Sequence, residues 1–256
     1  MMPGASELPD ISISIVSHGQ SDLVGQLLRD IGRYCAGTSL EIILTINVPE
    51  SVSFETSGFA FPVREIRNPI PKGFGENHNA AFKRAEGRYF CVMNPDIRLH
   101  SDPFPELVAQ LRMPDVGVVA PQIVNGEGRR EDNARDLPTP GELVRKLLGG
   151  SSAVQSAQEG SEPAWLAGMF LLFQRDTFAG VGGFDERYFL YYEDVDLCLR
   201  IGLAGYHIRL CDAVTAIHDA RRSSHREPKY LRWHLSSILR FFLSDVYRQA
   251  RRRQHE

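Results

Sequence analysis

The sequence predicts an α/β protein built on a mostly parallel, doubly wound central sheet flanked by helices. Three observations predict it. Apolar runs of strand length alternate with segments of helical period. Several of those runs stop at Asn, Asp or Pro, residues that end a ladder and start a turn. The chain has 256 residues, enough to bury one large core.

Ile11 to Val16 alternates Ile and Ser before a Val and reads as the first strand, closed by the polar turn Ser17-His18-Gly19-Gln20. Asp22 to Tyr34 follows as a helix, with Leu23, Leu27, Leu28 and Ile31 on one face. Glu41 to Val48 is a second strand ending at Asn47 and Pro49, and Phe61 to Arg67 a third, closed by Asn68-Pro69. Lys72-Gly73-Phe74-Gly75-Glu76-Asn77-His78-Asn79 is a Gly-rich turn leading into the helical Ala80 to Ala85. Such a turn can offer backbone N–H groups to a phosphate. A dinucleotide fingerprint would want Gly where His78 stands, and no Gly-Lys-Ser/Thr phosphate loop is present. Gly73 alone needs only to allow a tight start to the helix, whereas the polar cluster Asn77-His78-Asn79 favours ligand contact.

Arg88 to Leu99 is the stretch around which the chain is organised. Tyr89 to Met93 is a buried strand, and Asn94-Pro95-Asp96 ends it abruptly because Pro95 cannot donate to a ladder. A carboxylate is thereby presented at the carboxyl end of a central strand, where open α/β sheets bind ligands. Asp96 there suits a hard cation holding substrate phosphates, and equally suits a capping residue opening the next loop. Pro105 to Leu111 then reads as a short helix, Val116 to Ala120 as a strand, and Gly126 to Asp136 as a charged loop. Gly149 to Pro163 is the one linker-like segment, a lid, a binding loop or an indifferent insertion.

Trp165 to Phe173 is an apolar strand interrupted by Gly168, a residue that in a strand often marks close approach of a ligand or of another backbone. From Glu193 a helix runs with Val195, Leu199 and Leu203 along its seam and Glu193, Asp194 and Asp196 in its first turn. Acids there complement the helix dipole; one of them facing a cleft can serve as a general base. Tyr206 to Leu210 and Val214 to Ile217 are the last strands and deliver His218-Asp219 to a strand end, beside Arg221 and Arg222, a place suited to metal or phosphate contact. Tyr230 to Arg253 reads as one amphipathic helix ending in a basic cluster, which suits the helix dipole or an anionic membrane surface.

The bulk numbers narrow the function. A formal net charge of −3 argues against a general nucleic-acid binder. The longest apolar run, Trp165 to Phe173, is far short of the roughly 20 residues of a membrane helix. The opening residues show no basic region followed by an apolar core, so the expectation is a cytoplasmic protein, with peripheral contact at the inner face of a membrane through the last helix. Cys35, Cys91, Cys198 and Cys211 show no zinc spacing and read as reduced, buried apolar residues.

From Ile11 to about Phe242 the chain resembles the family 2 glycosyltransferases, in particular the bacterial rhamnosyltransferase-like group of cell-surface polysaccharide assembly. The resemblance rests on Gly73-Phe74-Gly75 with Asn79, on Asn94-Pro95-Asp96, on Trp165 to Leu172, and on Val181-Gly182-Gly183-Phe184-Asp185-Glu186 running into Glu193-Asp194-Val195-Asp196-Leu197-Cys198-Leu199-Arg200. It implies the A-type glycosyltransferase fold, a Rossmann-like sheet in a single domain over residues 1–228. Residues 11–125 would form the nucleotide-sugar-binding half and 126–228 the acceptor-binding half, with 229–256 a C-terminal helix and basic tail. The resemblance also implies site roles. Asp96 and His218 would hold a divalent cation, Mg²⁺ or Mn²⁺. Asp194 would be the catalytic base, with Glu193 its alternative. Ser17, His18, Asn47, Gly73, Asn79 and Asn94 would line the donor site, Arg221 and Arg222 would neutralise the diphosphate, and Trp165 and Gly168 would meet the acceptor.

Two departures from the family pattern fall in the nucleotide pocket. Ser17-His18-Gly19 stands where Thr-Tyr-Asn is common, and Ile46-Asn47 where an Asp-Asn pair is. The expected reaction is inverting transfer of a sugar, rhamnose favoured, from a nucleoside-diphosphate donor such as dTDP-rhamnose to a saccharide or lipid-linked acceptor. The alternative is a non-catalytic sugar-nucleotide binder or assembly scaffold. A nucleotidyltransferase would carry a Gly-rich loop with Arg and Lys before Asp22, and none is visible.

Overall fold

A computed structural model describes residues 8–51, 56, 58–141, 162–218 and 228–253. Ten strands and seven helices are described. In chain order they are β1 (Ile11–Ser17), α1 (Ser21–Tyr34), β2 (Leu40–Ile46), β3 (Val63–Arg67), α2 (Phe74–Phe82), β4 (Tyr89–Met93), β5 (Ile97–Arg98), α3 (Phe104–Leu111) and β6 (Val116–Val124). The second part holds β7 (Ala134–Arg135), β8 (Trp165–Leu166), β9 (Phe170–Gln174), α4 (Arg175–Gly180), α5 (Glu193–Leu203), β10 (His207–His218), α6 (Pro228–Phe242) and α7 (Asp245–Arg253).

Eight strands form one sheet in the order β3-β2-β1-β4-β9-β6-β10-β5. The first four are parallel, as the alternation of strands and helices requires. β9 is inserted antiparallel to both β4 and β6, and β5 runs antiparallel to β10, so the second half is mixed. The sheet is packed on both faces. On one, Ile13, Ile15, Cys91, Met93 and Leu172 meet Leu27, Leu28 and Ile31 of α1 and Phe104 and Leu107 of α3. On the other, Phe90, Phe173, Phe178 and Phe184 form an aromatic cluster with centroids 4.9 to 5.7 Å apart. Each such side chain taken fully from water contributes about 1.5–3 kcal/mol.

The serines of β1 show how a polar alternation is buried. Ser12 and Ser14 are fully enclosed, but Ser12 Oγ donates to Glu41 Oε1 at 2.6 Å and Ser14 Oγ shares a hydrogen bond of 2.8 Å with His78 Nδ1. The alternation is real; the polar face meets Glu41 of β2 and His78 of α2 rather than solvent.

Four local expectations are corrected. The Gly-rich turn is already helix: α2 starts at Phe74, with Gly73 as its N-cap, because Phe74 N–H donates to Phe189 O and Asn77 N–H to Gly73 O. The run from Trp165 to Phe173 breaks at Gly168 into β8, paired with β7 in a small second sheet, and β9 in the main one. β10 is one strand with an irregularity between Cys211 and Thr215. The C-terminal amphipathic segment is two helices, interrupted at Leu243-Ser244.

Candidate active site

The carboxyl ends of β1, β2 and β4, the break between β8 and β9, the start of α5 and one face of α6 enclose a cleft of about 1180 Å³. That volume is larger than a single small ligand needs.

Asp96 is placed by pairing. Asn94 N–H donates to Met169 O at 2.8 Å, Ile97 N–H donates back to Asn94 O, and the turn so made feeds β5, whose Ile97 is in register with His218 of β10. His218 Nε2 therefore lies 3.3 Å from Asp96 Oδ2, while its Nδ1–H donates to Glu131 Oε2 at 3.0 Å. Burial lowers the pKa of His218, but the Asp96 and Glu131 carboxylates outweigh it and hold the value up to about 8. Asp96 Oδ1 is buried with no partner in the protein. A carboxylate oxygen without a donor, beside an imidazole nitrogen already oriented from behind, fits a divalent cation that takes its remaining ligands from phosphate. Among the described residues no cluster of three His, Cys, Asp or Glu converges on one point. Glu131 sits on the far ring nitrogen, which makes it an orienting group.

Asp194 opens onto the same cleft as Asp96. Its Oδ2 accepts from Gly168 N–H at 3.0 Å and its Oδ1 from Val195 N–H at 2.8 Å. Gly168 thus earns its place through its backbone, and an added Cβ would touch Asp194 Cβ and the Phe74 ring, each at 3.4 Å. Burial raises the Asp194 carboxyl above the usual range, while these N–H donors and the nearby Arg135 pull against that rise. Glu193 is 5% exposed, its Oε2 has no partner, and burial reinforced by the Asp194 charge pushes its carboxyl well above the usual range. Of the adjacent acids, Asp194 is the one whose two oxygens each accept a backbone N–H. Both are positioned by Tyr191 and Tyr192, whose φ values of 72° and 68° put bulky residues in the left-handed region immediately before α5. Such strain concentrates at functional sites.

The donor end is organised by Asn47. Its Oδ1 accepts from Lys72 N–H and Asn68 Nδ2, each at 2.8 Å, and its Nδ2 lies 3.0 Å from Lys72 O and 3.1 Å from His18 Nδ1. Both amide atoms are engaged, so Asn47 shapes the cleft wall beside His18. The pKa of His18 is lowered by burial and by Lys229, against the pull of Glu50. Trp165 lines the cleft with its Nε1–H donated to Asp136 O at 2.9 Å and the Arg135 guanidinium 5.3 Å from its ring.

His18, Asn47, Asn94, Asp96, Trp165, Gly168, Glu193 and Asp194 all line the cleft, and His218 stands behind Asp96. Three expected donor residues do not line it. Ser17 is fully buried and caps the first turn by accepting from Gln20 N–H. Gly73 packs against the Phe189 backbone, where a Cβ would meet the carbonyl oxygen at 2.8 Å. Asn79 is a brace: its Oδ1 accepts from Phe184 N–H and its Nδ2 donates to Phe184 O and Glu186 Oε1. Arg221 and Arg222 lie outside the described residues. Lys72, Arg135, Glu131 and the α6 residues Trp233 and His234 were not singled out by sequence; only Lys72, just before the glycine turn, stood beside a visible signal.

Among solved structures, the chain is similar to GalNAc-T7 in complex with UDP, GalNAc and Mn²⁺ (TM-score 0.69, 16% identity, 95% of this chain and 50% of that one). It is also similar to the mannosyltransferase PcManGT from Pyrobaculum calidifontis in complex with GDP-Man and Mn²⁺ (TM-score 0.60, 16% identity, 92% and 65%). The architecture is thus the A-type glycosyltransferase fold. Residues 12–180 match the model of Glycosyl transferase family 2, and the chain belongs to that family. The match takes in Asp96 and Trp165 and ends before Glu193-Asp194.

The rhamnosyltransferase WbbL of Escherichia coli (strain K12) is 27% identical over 245 residues, 90% of this chain and 92% of that protein. The N-acetylglucosaminyl-diphospho-decaprenol L-rhamnosyltransferase of Mycobacterium tuberculosis (strain ATCC 25618 / H37Rv) is 35% identical over 176 residues, 61% of this chain. The chain spans about half the length of GalNAc-T7 and of the mycobacterial relative, at 50% and 55%.

Proposed function

We propose that the protein transfers a sugar, L-rhamnose in the first instance, from a nucleoside-diphosphate donor such as dTDP-rhamnose to a hydroxyl of a saccharide or lipid-linked acceptor, with inversion at the anomeric carbon. The observation that carries this reading is that Asp96 and Asp194, distant in sequence, line one cleft large enough for two substrates. The names of the rhamnosyltransferase relatives, one of them matched over 92% of its length, support the choice of sugar.

Asp96 and His218 would hold Mg²⁺ or Mn²⁺, which when bound neutralises charge on the departing diphosphate. Glu131 keeps the His218 ring turned so that Nε2 faces Asp96. Asp194 accepts the proton of the attacking hydroxyl as the new bond to the anomeric carbon forms and the bond to the diphosphate oxygen breaks. One base and one displacement give inversion; a retaining double displacement would need a carboxylate nucleophile as well. Glu193, buried beside Asp194 with Oε2 unpartnered, is the alternative base. His18, Asn47 and Lys72 form the wall available to the nucleoside, and Trp165 offers a flat face to an acceptor ring.

The test is incubation with dTDP-rhamnose, Mn²⁺ and an N-acetylglucosaminyl-diphospho-polyprenol acceptor, followed by mass and NMR analysis of the product. A rhamnosylated product of inverted configuration is expected. Donor binding without transfer to any of a panel of acceptors would refute the reading in favour of a non-catalytic binder.

A further inference from the structure

One face of α6 has no counterpart among the described residues. Leu231, Leu235 and Leu239 of α6 are 63, 52 and 63% exposed, and Leu243, in the turn that follows the helix, is 65% exposed, large values for apolar side chains; α6 buries Phe241 and Ser237 on its other side. At 100° per residue, the four-residue spacing of the three helical leucines sweeps a sector roughly 80° wide, and Leu243 carries the stripe past the helix end. A stripe that drifts steadily round the helix, instead of alternating three and four residues, suits a plane better than the seam of a coiled coil. Exposed Arg232 and Arg240 lie to one side of it, where long basic side chains can reach past an apolar surface toward headgroups. From Pro228 to Arg253 there are seven basic residues and one acid, in a chain whose formal net charge is −3.

The stripe is also continuous with the site. Leu231 and Leu235 belong both to the exposed face and to the cleft lining, where Trp233, Ile238 and Phe242 extend the same apolar wall toward Tyr192 and Asp194. No helix among the described residues is long and apolar enough to cross a membrane.

We propose that α6 and α7 seat the protein on an anionic lipid bilayer, with the leucine stripe sunk to the level of the acyl boundary and the basic residues among the headgroups, and that an amphiphilic acceptor reaches Asp194 along the apolar wall of the cleft without leaving the lipid. The occupant is a membrane surface rather than a second copy of the chain, because two copies meeting face to face would bring two strongly basic segments together. The acceptor part of the inference rests on the transferase reading above; the docking part does not.

The experiment is flotation of the full chain with phosphatidylglycerol-containing vesicles and with pure phosphatidylcholine vesicles. The comparison variant is Leu239→Glu with Leu243→Glu, two exposed positions away from the cleft lining, so the melting temperature should stay with the wild type. The wild type should float with the anionic vesicles and less so with neutral ones or in high salt, which screens the headgroup attraction. The double variant should bind about 10- to 100-fold more weakly, two apolar anchors having become charged.

Wild type that stays with the soluble fraction on anionic vesicles, or a double variant that floats equally well, would overturn the proposal. So would a dimer in sedimentation that the double variant dissociates, since a second copy would then cover the stripe. Transfer to a water-soluble saccharide acceptor reads the chemistry alone, so loss of flotation with that transfer intact, or the reverse, separates failure of the docking from failure of the transferase reading.

Discussion

Replacing Asp194 by Asn is the sharpest test of the site, because the structure separates its effect on chemistry from its effect on folding. The carboxylate accepts one backbone N–H on each oxygen, from Gly168 at 3.0 Å and from Val195 at 2.8 Å. Asn can keep one of these bonds, while its amide N–H₂ faces the other donor. The loss is about 1 kcal/mol, a typical net value for one hydrogen bond. Removal of a charge that burial disfavours works in the opposite direction. The net shift in melting temperature should therefore be within about 4 °C. The catalytic effect is of another size. Loss of a positioned general base costs about 10²- to 10⁴-fold, roughly 3–5 kcal/mol on the barrier.

The assay is initial-rate release of nucleoside diphosphate at saturating donor, with a melting curve of the same sample. Wild-type rate should fall as pH drops through the Asp194 pKa, which lies above the ordinary carboxylate value, because the base must be ionised to accept a proton. The residual rate of Asp194→Asn should lack that limb. A variant that folds and turns over within tenfold of wild type would refute the assignment.

Three further perturbations follow from the same geometry. The Glu193 carboxyl has a folded pKa raised above its unfolded one, so its protonated form favours the folded state at low pH and that advantage is lost as pH rises through the raised value. Melting curves of Glu193→Gln and wild type should diverge toward alkaline pH, the variant melting higher; parallel curves would contradict the burial argument. Asp96→Ala should abolish Mn²⁺ binding in the presence of nucleoside diphosphate, by calorimetry, and Glu131→Ala should weaken it about 10- to 100-fold through the unfastened His218 ring; unchanged Mn²⁺ affinity in both would remove them from the cation site. In Gly73→Ala the new Cβ meets Phe189 O at 2.8 Å, so a loss of about 1–3 kcal/mol is expected, whereas Gly126→Ala, with nothing within 4 Å, should melt with wild type. Equal melting of the two glycine variants would show that the Phe189 contact yields without cost.

Much of the fold was legible because local pattern carries it: β1, β4 and α1 are written in alternation, apolar runs and helical spacing. What periodicity does not record is strand direction. β9 is as apolar as a parallel core strand, and only the pairing of Phe90 with Phe173 and Val118 with Phe173 shows it inserted antiparallel. That Asp96, His218 and Asp194 lie at element ends was legible, because each sits where a strand ends or a helix begins. Sequence did not show that Asn79 braces a loop, because an amide that grips a ligand and one that grips a loop are the same residue there. Arg135 and Glu131 left no trace, since a hairpin places them and the charged segment that holds them has no period.

The brace formed by Asn79 has a temporal consequence. Its partners Phe184 and Glu186 lie more than 100 positions downstream, and Phe74 N–H waits likewise for Phe189 O. Contacts so far apart along the chain are slow to form, since the intervening loop must first be closed. A nascent chain that has emerged only through β6 can build the first four parallel strands, yet it lacks the residues that fasten the glycine turn and the acid that faces it. The cleft that Asp96 and Asp194 line is therefore among the last parts of the molecule to be completed.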